Sequence, residues 1–224
     1  MSSLSRLGVV EALVSTRSEY DHLFSIYVPI AIGVFLLIVL VVAISVVIFR
    51  RRPVEHAARW HEHNLLEGSY AVVLVCVAAF LLYLTFTAEH QVDTVANRER
   101  PALTVDVTAS KWEWTFTYPA YGFSVRSGTV GRQPLVVPAD EPVRFNLTSA
   151  DVIHSFWIPA LRYKRDAIPG ATEVATLMFP DGVFPAQCAE FCGLRHADMI
   201  FVARAVSRGA FATWAHTKGT RPAP

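Results

Sequence analysis

Two cysteines, a histidine and a methionine lie within twelve residues of one another in the last part of the chain. They belong to the segment Cys188-Ala-Glu-Phe-Cys192-Gly-Leu-Arg-His196-Ala-Asp-Met199. A second histidine, His154, lies well upstream of this segment. Two thiolates, two imidazoles and a thioether form a soft set of ligands that favours copper over hard cations such as Mg²⁺. The chemistry indicated is therefore that of a metal centre.

Several kinds of site could use these residues. One Cys, two His and a weak axial Met describe a mononuclear blue-copper site, but this chain supplies one cysteine more than that. Two thiolates four residues apart could instead bridge two copper ions, with one imidazole terminating each. The Cys₂His₂ set also suits tetrahedral Zn²⁺, and two cysteines of an exported domain could form a disulfide. Met199 favours copper, since zinc has little use for a thioether.

The composition of the remaining chain indicates a membrane protein. Of the 224 residues, 53% are hydrophobic and 17% are charged, whereas about a quarter of the residues of a soluble domain are charged. Two uncharged apolar runs, Phe24–Phe49 and Ser69–Ala88, reach the roughly 20 residues that a helix needs to cross a bilayer. We therefore predict transmembrane helices over residues 24–49 and 69–88.

Positive charge between the two runs predicts how the chain crosses the membrane. The arginines of this short connection are Arg50, Arg51, Arg52 and Arg59. Because Lys and Arg in short loops mark the cytoplasmic side, we expect residues 50–68 to form a cytoplasmic loop of an inner (cell) membrane. Residues 1–23, the metal-binding cluster and both termini are then expected on the periplasmic or extracellular side.

Short β-rich stretches begin at about residue 103. They alternate with turns rich in Gly, Pro, Asp and Asn, a pattern typical of an antiparallel sandwich or barrel. The predicted strands are Leu103–Val107, Trp112–Tyr118, Pro134–Val137, Val143–Thr148, Ile153–Ile158, Thr172–Phe179 and Met199–Val206. We predict an all-β domain over residues 89–208 and a C-terminal tail over 209–224, with helical periodicity only in 209–216.

The distribution of charge gives no sign of a nucleic-acid partner. Residues 1–97 carry 6 basic and 8 acidic side chains (−2), and residues 98–224 carry 14 and 11 (+3), which together give the net charge of +1. Neither part has a basic cluster interleaved with aromatic residues. We therefore expect a lipid bilayer and other proteins as partners, and no nucleic acid.

The metal-binding cluster belongs to a longer sequence pattern. Cys-x-Glu-x-Cys-x₃-His-x₂-Met is paired with Asp-Val-Ile-His-Ser-Phe around His154, and Leu161-x₂-Lys-x-Asp-x-Ile-Pro-Gly170 and Trp112-Glu-Trp114 stand in matching places. This pattern resembles the family of cytochrome c oxidase subunit 2, the subunit of haem-copper terminal oxidases that carries the dinuclear copper centre CuA. The resemblance implies a two-helix transmembrane hairpin followed by a cupredoxin-like sandwich.

The resemblance implies a role for each residue of the cluster. Two cysteines would bridge the copper pair, the first histidine and the methionine would complete one copper, and the second histidine with a backbone carbonyl would complete the other. The implied ligands are His154, Cys188, Glu190 (by its carbonyl), Cys192, His196 and Met199. The Glu190 side chain would help to hold Mg²⁺ or Mn²⁺ at the interface with subunit 1, for which a carboxylate is suited.

Two further residues acquire roles from the same resemblance. Trp112 matches the aromatic residue at which electrons from cytochrome c enter this family, while Trp114 is expected to pack in the domain. Glu67 matches a glutamate at the cytoplasmic mouth of a proton channel. Residues 68–73 depart from the family's pattern, however, so an interfacial, solvated carboxylate is the alternative interpretation of Glu67.

The function implied is that of the electron-entry subunit of a cytochrome c oxidase, which is an oxidoreductase and proton translocase. Electrons would pass from cytochrome c through the copper pair to a haem in subunit 1, which would reduce oxygen to water among the other oxidase subunits. Three alternatives differ in the acceptor, the donor or the role of copper. They are the CuA subunit of a haem-copper nitric oxide reductase, a copper-free quinol-accepting subunit, and a membrane-anchored copper carrier. The intact set of five ligand side chains argues against the quinol-accepting subunit.

Charge near the cluster predicts the polarity of the electron donor. Lys111 precedes Trp112, and Arg162, Lys164 and Arg165 are close to the metal-binding segments in sequence. A soluble cytochrome c that docks through lysines would need carboxylates opposite them. We therefore expect an acidic, membrane-tethered or supercomplex-bound cytochrome c as the donor, and not a strongly basic soluble one.

Overall fold

The computed structural model describes residues 16–50, 62–98 and 100–219. The chain divides into a helical unit of residues 19–90 and a β unit that begins at residue 91. Most of the predicted N-terminal segment, three of the four connecting arginines and the last five residues lie outside the described residues. The predictions that rest on them are therefore not addressed by the structure.

Two long apolar helices form the helical unit. Helix α1 covers Thr16–Phe49 and helix α2 covers Asn64–Arg98, and each contains one of the predicted runs. Their membrane-length parts, Tyr20–Phe49 and Asn64–His90, have no buried residues in their most apolar windows. A helix that exposes apolar side chains on all faces is stable only in lipid or against other apolar helices. The two predicted apolar helices are confirmed.

The helices of this unit are joined by a polar contact. The Tyr27 hydroxyl on α1 donates a hydrogen bond of 2.6 Å to the Leu81 carbonyl of α2 and lies 2.6 Å from the Thr85 hydroxyl. Polar contacts of this kind hold apolar helices in register where no water competes. The pair therefore forms a hairpin.

The β unit contains two five-stranded sheets among the described residues. Its strands are β1 Leu103–Ser110, β2 Glu113–Tyr118, β3 Phe123–Gly128, β4 Leu135–Pro138, β5 Pro142–Ser149, β6 His154–Ile158, β7 Tyr163–Ala167, β8 Glu173–Met178, β9 Gly182–Cys188 and β10 Ile200–Val206. Helix α3, Arg208–Gly219, follows the last strand. The predicted sandwich is confirmed, with three strands more than the sequence pattern indicates.

The order of strands differs from a purely antiparallel arrangement. One sheet has the order β3-β2-β1-β5-β8 and the other β4-β10-β9-β6-β7. Strands β1 and β5 pair in parallel, with Leu103 opposite Val143, and so do β10 and β4, with Ala203 opposite Leu135. All other pairs are antiparallel. The parallel pairs arise because the chain crosses from one sheet to the other between the paired strands.

Alternation along the strands fills the space between the sheets. In β1, β2 and β5 buried and partly exposed residues alternate, as a period of two requires. The largest fully buried side chains are Trp114, Tyr118, Phe116, Phe145, Phe156 and Phe179. This aromatic core forms the rigid base from which the metal-binding loop projects.

Tyr118 connects the two sheets through its hydroxyl. The hydroxyl donates a hydrogen bond of 2.8 Å to the Val136 carbonyl and accepts one of 3.0 Å from the Val136 N–H. Tyr118 belongs to β2 and Val136 to β4, which are in different sheets. Burial raises the pKa of the Tyr118 hydroxyl well above its usual range, so the group stays neutral.

We expect Tyr118→Phe to lower the free energy of unfolding by about 2–4 kcal/mol, because it leaves a buried N–H and a buried carbonyl without partners. Thermal unfolding of the full chain in detergent measures this change. Tyr121→Phe is the matched control, since the Tyr121 ring is only half-buried. Equal effects of the two substitutions would show that the Val136 bonds add nothing.

Helix α3 packs against the sandwich. Phe211 is buried, and the Trp214 ring meets the rings of Tyr118 and Phe123 edge-on, with centroids 5.3 Å away in each case. The sequence predicts a tail over residues 209–224, with helical periodicity only in residues 209–216. The structure has a packed helix there because Phe211 and Trp214 lie three residues apart and share one face.

Candidate metal centre

The predicted ligands are contributed by two neighbouring strands and one loop. His154 begins β6 and Cys188 ends β9, and these strands pair so that Phe156 lies opposite Cys188. The metal-binding loop, residues 189–199, leads from β9 to β10 and carries the other predicted ligands. Pairing of the strands thus brings residues distant in sequence to the same end of one sheet.

Hydrogen bonds at its base hold the metal-binding loop in place. The Cys188 N–H donates to the Met199 carbonyl at 3.0 Å, and the Ala189 N–H donates to the Ser155 carbonyl at 3.0 Å. Within the loop, the His196 N–H donates to the Gly193 carbonyl at 3.1 Å. The loop therefore has little freedom to rearrange its ligands.

The side chains of all five predicted sulfur and nitrogen ligands converge. The Sγ atom of Cys188 lies 3.8 Å from Nδ1 of His154, and the Sγ atom of Cys192 lies 3.5 Å from Nδ1 of His196. The two Sγ atoms are 3.9 Å apart, and Sδ of Met199 is 3.8 Å from Cys192 Sγ. One ligand atom each of His154, Cys188 and Cys192 lies within 4.8 Å of the other two.

The sulfur geometry distinguishes among the alternatives for the two cysteines. An S–S bond is about 2.05 Å long, so the separation of 3.9 Å leaves Cys188 and Cys192 as free thiols. Two thiols and two imidazoles could also bind Zn²⁺. The thioether of Met199 at the same centre is a soft ligand that suits copper instead.

Four of the five converging side chains are shielded from water, while His196 is half-buried. His154 and Met199 are fully buried, and each cysteine is 3% exposed. The Trp114 ring meets the His154 imidazole edge-on, with centroids 6.2 Å apart. Such an apolar surrounding limits the access of water to the ligands and lowers the local dielectric constant.

Asp151 orients His154, a role that the sequence pattern leaves unassigned. Its Oδ1 atom accepts a hydrogen bond of 2.8 Å from Nε2 of His154. Its Oδ2 atom accepts one of 2.8 Å from the Lys111 N–H. With Nε2 occupied in this way, Nδ1 of His154 is directed toward Cys188. The only sequence signal for this contact is the spacing of three residues between an acid and a predicted ligand.

The ionisation of each of these groups depends on its neighbours. Partial burial opposes ionisation of Asp151, but hydrogen bonds from His154 and from backbone N–H groups outweigh it and lower the pKa of the carboxyl. Burial likewise opposes ionisation of Cys188, yet the bond with His154 lowers the pKa of its thiol to about 7. Burial and the neighbouring negative charge of Cys188 raise the pKa of Cys192. Bound metal must therefore displace at least the Cys192 proton.

The two tryptophans of the Trp-Glu-Trp motif have different surroundings. Trp114 is fully buried, and its Nε1 donates a hydrogen bond of 3.4 Å to the Met199 carbonyl beneath the loop. Trp112 precedes β2 and is only half-buried. Among the described residues, its buried Nε1 has no hydrogen-bond partner.

Two glycines allow the chain to approach Trp112 closely. Gly193 in the metal-binding loop has φ +116°, and a Cβ atom there would lie 3.5 Å from the indole. Gly128 has φ +143°, and a Cβ atom there would lie 2.6 Å from the Trp112 carbonyl oxygen. Both conformations favour glycine. Trp112 thus lies between the end of β3 and the metal-binding loop.

Glu190 and Glu67 lie in different units of the chain. The Glu190 carbonyl is 3.3 Å from Cys188 Sγ, and its side chain is exposed. Glu67 accepts a hydrogen bond of 3.1 Å from the His63 N–H, while Nδ1 of His63 accepts one of 3.2 Å from the Leu66 N–H. This reciprocal pair caps the start of helix α2.

Comparison with known proteins places the chain among oxidase subunits. The family model described as cytochrome C oxidase subunit II, periplasmic domain, matches residues 103–206. Cytochrome c oxidase subunit 2 of Arabidopsis thaliana is 30% identical over 191 residues, which cover 70% of this chain and 73% of that relative. The subunit 2 of Bacillus sp. (strain PS3) is 34% identical over 163 residues, 69% of this chain but only 44% of that longer relative.

A solved structure agrees with these matches. The crystal structure of the periplasmic domain of subunit II of cytochrome oxidase (CoxB) of Bradyrhizobium japonicum is 34% identical to the chain, with a TM-score of 0.51. It covers 54% of this chain, and the chain covers 95% of it. The likeness therefore concerns the β unit.

Fold, geometry and these matches define a class: membrane-anchored oxidase subunits with a periplasmic β domain that can hold a metal. Within that class, the chain belongs to the cytochrome c oxidase subunit 2 family. It is therefore a membrane protein and an oxidase subunit, with its β unit outside the cytoplasm.

Proposed function

We propose that this chain is the electron-entry subunit of a cytochrome c oxidase, with a dinuclear copper centre, CuA, in the metal-binding loop. When bound, the copper pair would supply one-electron chemistry, with cytochrome c as the donor and a haem in subunit 1 as the acceptor. The observation that carries the proposal is the convergence of two buried free thiols, 3.9 Å apart, with two imidazoles and a thioether.

The arrangement of donors around the two sulfurs supports a pair of metals. His154 and the Glu190 carbonyl lie beside Cys188, while His196 and Met199 lie beside Cys192. The two side chains that would hold one copper, His154 and Met199, therefore lie beside different sulfurs, and so do His196 and the Glu190 carbonyl, which would hold the other. Buried, hydrogen-bonded ligands keep their positions when the charge changes, which suits electron transfer.

Copper loading of the full chain tests this function. Two copper ions per chain and a purple protein, with an electron-spin signal shared by two equivalent copper nuclei, are expected. A blue, colourless or single-copper product would contradict the proposal.

Trp112 is proposed as the point of electron entry, because its indole borders Gly193 of the metal-binding loop and is only half-buried. We expect Trp112→Leu to cause a large fall in the rate of electron transfer from cytochrome c, with the copper signal unchanged. Stopped-flow reduction of the copper centre measures this rate. Trp157→Leu, at another half-buried tryptophan on β6, is the control and leaves the rate near that of the wild type. A normal rate for Trp112→Leu would remove Trp112 from the pathway.

Further roles rest on the family alone. The exposed Glu190 carboxylate is proposed to help hold Mg²⁺ or Mn²⁺ at the interface with subunit 1. Glu67 is proposed as a proton-entry residue, although its bond to the His63 N–H already accounts for one of its oxygens. Both termini and the copper domain are proposed to face the periplasm. Together with the copper centre, these proposals describe the functional residues and the orientation of the whole subunit.

Two alternatives use the same site. In a copper-containing nitric oxide reductase only the gas reduced in subunit 1 would differ. A copper carrier needs an exchangeable site, whereas the buried ligands and the closed base of the loop favour retention. Measuring the activity of the assembled complex with oxygen and with nitric oxide tests the reductase alternative. Measuring the loss of copper to a chelator tests the carrier alternative.

A further inference from the structure

A groove of about 760 Å³ lies beside the metal-binding loop and is not used by the copper site. Its walls are the segment from Ser127 to Pro134, which leads from β3 to β4, and the end of the metal-binding loop. Its floor is the outer face of β9 and β10, where Val183, Ile200 and Val202 are 62%, 55% and 40% exposed. This floor offers apolar surface that a partner could cover.

Three arginines line the groove, which is therefore called the arginine groove: Arg132, Arg195 and Arg204. Among the described residues, the one acidic residue that lines it is Asp198, which pairs with Arg195 at 3.2 Å. Neither Arg132 nor Arg204 forms an ion pair with a described residue. The groove therefore has an excess of two positive charges over an apolar floor.

The arginine groove adjoins Trp112. Thr129, one of its lining residues, donates a backbone hydrogen bond of 3.1 Å to the Trp112 carbonyl, and Gly128 packs against the same oxygen. On the other side, Arg195 follows Gly193, which faces the indole, by two residues. A protein seated in the groove would thus contact the surface around Trp112.

Two of the cations predicted from sequence lie elsewhere. Lys164 and Arg165 belong to β7, at the opposite edge of the sheet from β4. They pair with Asp166 and Glu173 at 3.9 Å and 4.0 Å, so their charge is largely balanced. The arginine groove, by contrast, keeps its excess of two positive charges.

We propose that the arginine groove is the docking surface for an acidic face of the protein electron donor. This inference rests on the proposed function, since it assigns the partner of the same copper site. Carboxylates of the donor pair with Arg132 and Arg204, and apolar contact with Ile200 and Val202 holds the complex after encounter. Complementary charge mainly raises the rate of association.

Charge reversal in the assembled oxidase tests this proposal. The probes are a lysine-rich cytochrome c and the same cytochrome with its lysines succinylated, which reverses its surface charge while keeping its haem. We expect the wild type to react faster with the succinylated form, at a rate that falls with added salt. Arg132→Glu together with Arg204→Glu should lower that rate about 10-fold or more.

Arg144→Glu is the matched control, because Arg144 lies on β5 in the other sheet, and it should leave the rate unchanged. Faster reaction of the wild type with the lysine-rich form would overturn the docking proposal, and so would an equal loss of rate in the control. The proposal would also be overturned if the doubly substituted oxidase lost another subunit while its rate of reaction stayed unchanged. The copper signal is recorded on the same samples. Its presence with any of these outcomes refutes docking alone, whereas its absence refutes the proposed function as well.

Discussion

Cys192→Ser is expected to abolish the two-copper signal and electron entry together. A serine hydroxyl stays protonated near neutral pH and is a hard ligand that copper binds poorly. The remaining Cys188, His154 and Met199 resemble a single-copper set, so at most one copper per chain should be retained. Copper analysis and electron-spin resonance of the purified protein measure the loss, and oxygen consumption of the assembled complex should fall to background.

Cys76→Ser is the matched control for this experiment, since Cys76 lies in helix α2, outside the metal-binding loop. It should retain two copper ions and full activity. Glu67→Gln should likewise leave the copper signal unchanged, because Glu67 bonds to the start of its own helix and belongs to the helical unit, not to the metal-binding loop. A shared-spin signal in Cys192→Ser would show that this sulfur does not bridge.

Asp151→Ala is expected to weaken copper binding by about 10- to 100-fold, the usual effect of removing a group that orients a metal ligand. Without the carboxylate, Nε2 of His154 loses its acceptor at 2.8 Å and the imidazole can turn away from Cys188. Titration against a copper chelator measures the affinity. The electron-spin signal should also broaden as the geometry becomes heterogeneous.

Asp106→Ala is the control for this second experiment. Asp106 accepts a hydrogen bond of 2.7 Å from Asn146, which lies on the neighbouring strand β5. Its loss should leave copper affinity unchanged. If Asp151→Ala binds copper as tightly as the wild type, the aspartate is a surface residue with no influence on His154.

The ligand cluster could be predicted from sequence because most of it is local. Cys188, Cys192, His196 and Met199 lie in one loop, so their spacing alone limits the arrangements open to them. The contribution of Asp151 could not be assigned, since it depends on which nitrogen of His154 faces the sulfur. The same holds for the arginine groove, whose cations come from separate strands and loops.

The strands that the sequence pattern misses have physical reasons for being inconspicuous. β9 contains Pro185, which normally argues against a central strand. Here β6 pairs with β9 only at Gln187 and Cys188, so Pro185 has no partner on that side. β7 contains three charged residues in succession, which an edge strand tolerates because one side is open to water.

The packing of helix α3 bears on where the chain can be divided. The family match ends at residue 206, before this helix begins. A fragment cut at that boundary would lack Phe211 and Trp214, and the rings of Tyr118 and Phe123 would face solvent. Recombinant periplasmic fragments that end at residue 206 should therefore expose an aromatic face and self-associate more readily than fragments extended through residue 219.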